Sequence, residues 1–199
     1  MNTPRTRWHW WIPLTLTLLC ALLQLLPARA LLQYQRDAVL HGQYWRLLSG
    51  NLVHLGWGHL LHDLVGLWLI WLLFAPLLRA RAWLALLLTD ALAVGLGLLL
   101  FSPQVAWYVG ISAVLYGLFA AGCLAQWRSR PLWAGLLLAG EAALLAWSNL
   151  VGPLPAESWG MDGPVLPIAH VYGATGGLLF MLARGGWLAW RIRGRRGQQ

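Results

Sequence analysis

Residues 57–101 read WGHLLHDLVGLWLIWLLFAPLLRARAWLALLLTDALAVGLGLLLF: two long apolar runs parted by Arg79 and Arg81. One helical crossing of a bilayer takes about 20 apolar residues. Inside lipid only a helix or a closed barrel satisfies every backbone N–H and C=O, so each run predicts a spanning helix and the arginine pair a turn at the water interface. Working outward, the same reading gives six apolar stretches, at about 8–28, 57–77, 82–101, 109–127, 131–150 and 167–188. Composition agrees: 59% of residues are hydrophobic and only 10% are charged, where a soluble domain carries about a quarter charged. Six crossings use up nearly all of the 199 residues. The expected fold is therefore an all-α, six-helix membrane bundle over residues 1–199, without a separate soluble module.

Arginine placement assigns the sides. Arg5, Arg7, Arg79, Arg81, Arg128, Arg130, Arg184, Arg191, Arg193, Arg195 and Arg196 fall in one set of alternate ends and loops, against Arg29, Arg36 and Arg46 in the other. Glu157 and Asp162 mark the 151–166 loop, which holds no base. Eleven against three puts both termini in the cytoplasm. Tryptophans follow the same map, with Trp8, Trp10, Trp11, Trp83, Trp127, Trp133, Trp187 and Trp190 near one interface and Trp45, Trp57, Trp107, Trp147 and Trp159 near the other. A cleaved signal ending at Ala28-Arg29-Ala30 is the competing reading of the N-terminus, but arginine is out of place at such a site. The mixed polar and aromatic segment 31–56 is expected to lie in the outer interface.

The net charge of +8 raises the question of a nucleic-acid partner. Every base is an arginine and none lies on a soluble face of any size, so anionic lipid is the partner instead, and no nucleic acid is expected. Cys20 and Cys123 sit inside apolar runs and read as small core residues rather than a disulfide or metal pair.

A polar group in hydrocarbon is costly, about 2.5–3.5 kcal/mol for a central charge, and needs a reason. On the assigned topology His59 and Asp63 lie in the outer part of the second stretch, Ser112 near the outer start of the fourth and His170 near the outer start of the sixth. Three helices distant in sequence thus bring a nucleophile and its possible partners to one depth. Ser112 follows Gly110, and a helix start there would present free N–H groups to an oxyanion. Gly173 and Gly177 lie four apart on one face, allowing another helix to come close, and a neutral His170 beside them can serve as general base. Taken singly, Ser112 reads as a packing residue and His170 as a hydrogen-bonded interhelical histidine; it is their pairing that points to catalysis.

Trp45-Arg46, the spacing of His54, His59 and Asp63, Gly110-x-Ser112 with Tyr116, and His170-x-x-Gly173-x-x-x-Gly177 occur in the order found in rhomboid proteases, which this chain resembles over residues 45–180. The resemblance implies a six-helix bundle with a short central fourth helix and a cavity open to the outside. It implies a Ser112–His170 dyad, Tyr116 packed on the His170 ring, and an oxyanion facing His59 and the Ser112 N–H, with neither cofactor nor metal. The short chain and the pattern Gly110-x-Ser112-x-x-Leu115-x-Gly117 are similar to the rhombosortases. That subfamily implies a bacterial inner-membrane enzyme, its site opening to the periplasm, acting on membrane-anchored proteins that end in a Gly-Gly motif, a transmembrane helix and a basic tail. An inactive rhomboid-like protein that binds membrane proteins is the alternative.

Two positions depart from the family pattern. Asp63 stands where asparagine is usual, and an ionised carboxylate cannot donate to an oxyanion; pairing with His59, four residues back on the same face, is its expected role. Ala113 replaces a usual glycine, a small change. His54, His59, His62 and Asp63 also invite a metal reading, but the His-Glu-x-x-His spacing of a metalloprotease is absent. Asp90 and Glu141 lie mid-helix, where hydrogen bonds between helices are expected of them.

Overall fold

The computed structural model describes residues 9–155 and 163–196, the part beyond residue 186 by its backbone alone. Arg5, Arg7, Trp8, Glu157, Trp159 and Asp162, used above to assign sides, lie outside the described residues. So do the side chains of Trp187, Trp190, Arg191, Arg193, Arg195 and Arg196. Helix α1 (Trp11–Leu25) leads into a segment of short pieces: α2 (Arg29–Leu32), β1 (Tyr34–Gln35), α3 (Arg36–Leu40), α4 (Arg46–Ser49) and a 3₁₀ turn, Gly50–Leu52. Then come α5 (Trp57–Phe74, prolonged by a 3₁₀ turn to Leu77), α6 (Ala80–Phe101), β2 (Trp107–Tyr108), α7 (Ser112–Gln126), α8 (Pro131–Leu150) and α9 (Pro167–Arg196).

Residues Trp57–Leu77, Ala80–Phe101 and Pro131–Leu150 are long and apolar enough to cross a membrane, and α1 and α7 are shorter apolar helices of fifteen residues. The last helix departs from expectation. Rather than ending near residue 188 it continues to Arg196, thirty residues in all. Arginine is a good helix former and no proline intervenes, so the change from apolar to basic residues ends the hydrophobic stretch without ending the helix.

Helix α7 occupies the centre, packed against α5, α6, α8 and α9. Its small residues permit this. A Cβ at Gly173 would overlap the Ala113 carbonyl oxygen, one at Gly177 the Gly117 carbonyl oxygen, and one at Gly117 would meet the Asp90 carboxylate and lie 2.6 Å from the Gly173 carbonyl oxygen. Backbone thus rests on backbone along the α7–α9 seam, the arrangement by which membrane helices gain dispersion energy. Around the other end of α7, Phe74 and Phe119 meet edge to face at 5.6 Å, and Trp71 packs on Trp83, whose Nε1–H donates to the Ala75 carbonyl at 3.1 Å. Trp83, grouped above with the interfacial tryptophans, is fully buried, whereas Trp10, Trp11, Trp45, Trp57, Trp107, Trp127, Trp133 and Trp147 are 43–54% exposed. Cys20 and Cys123 are free and buried.

The 29–52 segment is folded around Arg46. The buried guanidinium donates from Nε to Gln43 Oε1 at 2.7 Å, and from Nη1 to the carbonyls of Ala30 at 3.1 Å and Gln33 at 2.8 Å. Trp45 Nε1–H donates to the Leu31 carbonyl at 3.3 Å. Outside this polar kernel Leu31, Leu40, Tyr44 and Trp45 project outward, more than half exposed, a face suited to the lipid boundary. Strand β1 pairs antiparallel with β2, Tyr34 opposite Tyr108 and Gln35 opposite Trp107. The Gly110 N–H donates to the Gly50 carbonyl at 3.1 Å. The segment is thereby fastened to the residues that lead into Ser112.

Candidate active site

Ser112 is the first residue of α7 and His170 lies in the first turn of α9. The glycine seam holds these two helix ends together, and Ser112 Oγ comes to lie 3.1 Å from His170 Nε2. For Nε2 to accept the serine proton, His170 has to be neutral with its proton on Nδ1. The Tyr116 ring, one turn along α7, stacks on the imidazole with centroids 4.5 Å apart and planes 18° from parallel. Ser112 is half-buried and His170 is buried.

The turn before Ser112 is bound in an unusual way. Gly110 has φ +112°, and a Cβ there would lie 2.7 Å from the His59 ring; glycine is required for both reasons. Tyr108 Oη–H donates to the Gly110 carbonyl at 2.8 Å. Burial, with the nearby Asp63 charge adding to it, pushes the Tyr108 phenol up, so it remains a donor. Asp63 Oδ2 then accepts from the Ile111 N–H at 3.1 Å and from the Ser112 N–H at 3.2 Å. The free N–H expected at Ser112 is therefore turned to Asp63.

Two imidazoles complete the cluster. His59 Nε2 lies 3.4 Å and His54 Nε2 3.2 Å from Asp63 Oδ2, His54 at ion-pair distance but without hydrogen-bond geometry. The two rings meet edge-on at 5.1 Å. The Leu55 N–H donates to His59 Nδ1 at 3.5 Å, which leaves Nε2 as the protonated nitrogen aimed at Asp63. His54 thus faces the same oxygen as His59. His62 turns away and lines the cavities instead. The Tyr108 contact and the role of the backbone N–H groups escape a reading of side chains; the Tyr-x-Gly spacing at 108–110 was their one sequence signal.

A cavity of about 480 Å³ stands over Ser112, lined among others by His59, Trp107, Tyr116 and His170. A second, of about 600 Å³, runs from Ser112 and Tyr116 between α5 and α8. Among the described residues Asp90 does not make the interhelical hydrogen bonds expected of it, and Glu141 makes none through Oε1. Asp90 is buried against Gly117 and Gly176, and neither its oxygens nor Glu141 Oε1 has a partner among the described residues.

No curated protein matches the chain. Residues 41–186 match the family described as the Rhomboid domain, a span that takes in everything from the Arg46 kernel to the α7–α9 seam. By that match over most of its length, this integral membrane protein belongs to the rhomboid family, the family of intramembrane serine proteases.

Proposed function

We propose that the chain is an intramembrane serine endopeptidase in which Ser112 is the nucleophile and His170 the general base. The observation that carries this reading is the 3.1 Å contact between Ser112 Oγ and His170 Nε2 under an open cavity. Oγ attacks the peptide carbonyl while Nε2 takes its proton, giving a tetrahedral intermediate. Nε2 then returns the proton to the leaving amine, and a water enters by the same base to release the acyl-enzyme. Tyr116 holds the imidazole in plane for both transfers. The substrates are membrane-anchored proteins whose helix reaches Ser112 through the groove between α5 and α8. Sequence similarity to the rhombosortases makes Gly-Gly tail anchors of secreted proteins the preferred class. The same similarity, with the arginine distribution, supports a location in a bacterial inner membrane, with the termini in the cytoplasm and the Ser112 cavity open to the periplasm.

One observation favours a second reading, an inactive membrane-protein binder. Asp63 Oδ2 already holds the Ile111 and Ser112 N–H groups that an oxyanion would use. A serine-reactive fluorophosphonate separates the two. Labelling of the wild type that disappears in Ser112→Ala and falls steeply in His170→Ala supports the enzyme. Absence of labelling in the wild type, or labelling that survives Ser112→Ala, assigns the binder.

A further inference from the structure

Helices α7 and α8 are consecutive, joined by residues 127–130 and packed on each other. Tyr116 and Glu141 are each ten residues from the helix ends at that turn, so they share one depth, four residues or about 6 Å from the level of Ser112. Few side chains of α8 are covered, Ala134 and Ser148 alone being fully buried. The groove between α8 and α5 is walled at this depth by Val65, Leu69, Leu137 and Leu144, with Glu141 its one acid away from the Ser112 turn. Glu141 Oε1 is shielded from solvent and has no hydrogen-bond partner among the described residues. An acid left so costs several kcal/mol and does nothing for packing that a leucine would not do better.

The geometry points to Glu141 as a specificity-determining residue that accepts a hydrogen bond from a donor side chain on the substrate's transmembrane segment. This rests on the protease reading of Ser112 and His170. Six ångströms correspond to two residues of extended chain or four of helix beyond the scissile bond. The donor is a neutral one, serine, threonine, asparagine or glutamine. A cation at that depth would make the free substrate costly to hold in the bilayer, whereas a neutral donor enters at little cost and gains an interhelical hydrogen bond.

The test uses the full-length protein in liposomes and single-span reporter peptides of leucine and alanine, with asparagine, leucine or lysine at the second to fourth positions past the cleaved bond. The wild type and Glu141→Gln, which keeps a carbonyl acceptor, are expected to cleave the asparagine peptide about three- to fifteenfold faster than the leucine one. Glu141→Leu, or Glu141→Met should leucine not fold, is expected to cleave both equally. Equal rates in the wild type, a preference that persists without Glu141, or a preference for lysine alone overturns the inference. Fluorophosphonate labelling of Ser112 keeps the two levels apart. Labelling with no asparagine preference sinks only the role of Glu141; no labelling in the wild type removes the protease reading and this inference with it.

Discussion

Asp63 is where the structure makes its sharpest demand. Its Oδ2 accepts two backbone N–H groups, at 3.1 and 3.2 Å, from a side chain that is almost wholly buried. Hydrogen bonds to a charged acceptor contribute about 1.5–3 kcal/mol each and neutral ones about 0.5–1.5. Asp63→Asn keeps an acceptor oxygen but loses the charge, so the Ile111–Ser112 turn should weaken by roughly 2 kcal/mol over the two bonds. Asp63→Ala leaves both N–H groups buried and unmet at about 1–3 kcal/mol apiece, or roughly 2–6 in total. Unfolding midpoints in a single detergent should therefore fall in the order wild type, Asp63→Asn, Asp63→Ala. Fluorophosphonate labelling should remain measurable in Asp63→Asn, whose amide can still accept, and largely vanish in His59→Ala and Asp63→Ala. An Asp63→Ala protein as stable as the wild type would refute the claim that Asp63 holds the turn. Complete loss of labelling in a folded Asp63→Asn would show instead that the charge itself is indispensable.

Three other outcomes can be checked with the same assays. Tyr116→Phe should label at the wild-type rate, and Tyr116→Ala about two- to tenfold more slowly, the worth of one ring stack. Gly173→Ala sets a methyl against the Ala113 carbonyl and should part Ser112 from His170, lowering labelling at least tenfold with a stability loss of about 1–3 kcal/mol; Gly185→Ala, with open space around it, should change neither. Arg46→Lys replaces a fork that serves three acceptors by a point charge, and its midpoint should drop by about 2 kcal/mol equivalent while labelling of the folded fraction persists.

The fold class could be read from the chain because lipid leaves few choices. Leucine-rich runs such as 131–150 have to be helices, and Pro131–Leu150 is one. The basic end of α9 could not be read this way, since hydropathy marks where apolar residues stop and not where the helix does. Nor could the strands at Tyr34–Gln35 and Trp107–Tyr108, two residues long and defined by a partner more than seventy positions away. At the site, the meeting of Ser112 and His170 was legible from the depth the topology gives them, and the packing of Tyr116 on His170 from the resemblance to rhomboid proteases. Asp63 was legible only in part: its pairing with His59 follows from their four-residue spacing, but its other partners are backbone N–H groups that every residue except proline possesses. A sequence shows that a carboxylate is present; it does not show which amide it will hold. Asp90 misled for the complementary reason, that a buried acid with no hydrogen-bond partner among the described residues looks in sequence the same as one with several.

The fifteen residues of α7 span about 22 Å, against a hydrocarbon layer of about 30 Å. Gln126 ends the helix beside Trp127 and Arg128, residues that favour the headgroup level, which puts the shortfall of about 8 Å at the Ser112 end. In a bilayer of ordinary thickness Ser112 is thus sunk below the lipid surface, under a well walled by residues 104–109, 164–166 and 168. The depth of that well is set by the host membrane as much as by the protein. Longer or more saturated acyl chains would raise hydrocarbon around the mouth, and shorter ones would bring Ser112 nearer to bulk water. On the protease reading, lipid chain length is therefore a reaction variable in the way that pH is for a soluble hydrolase.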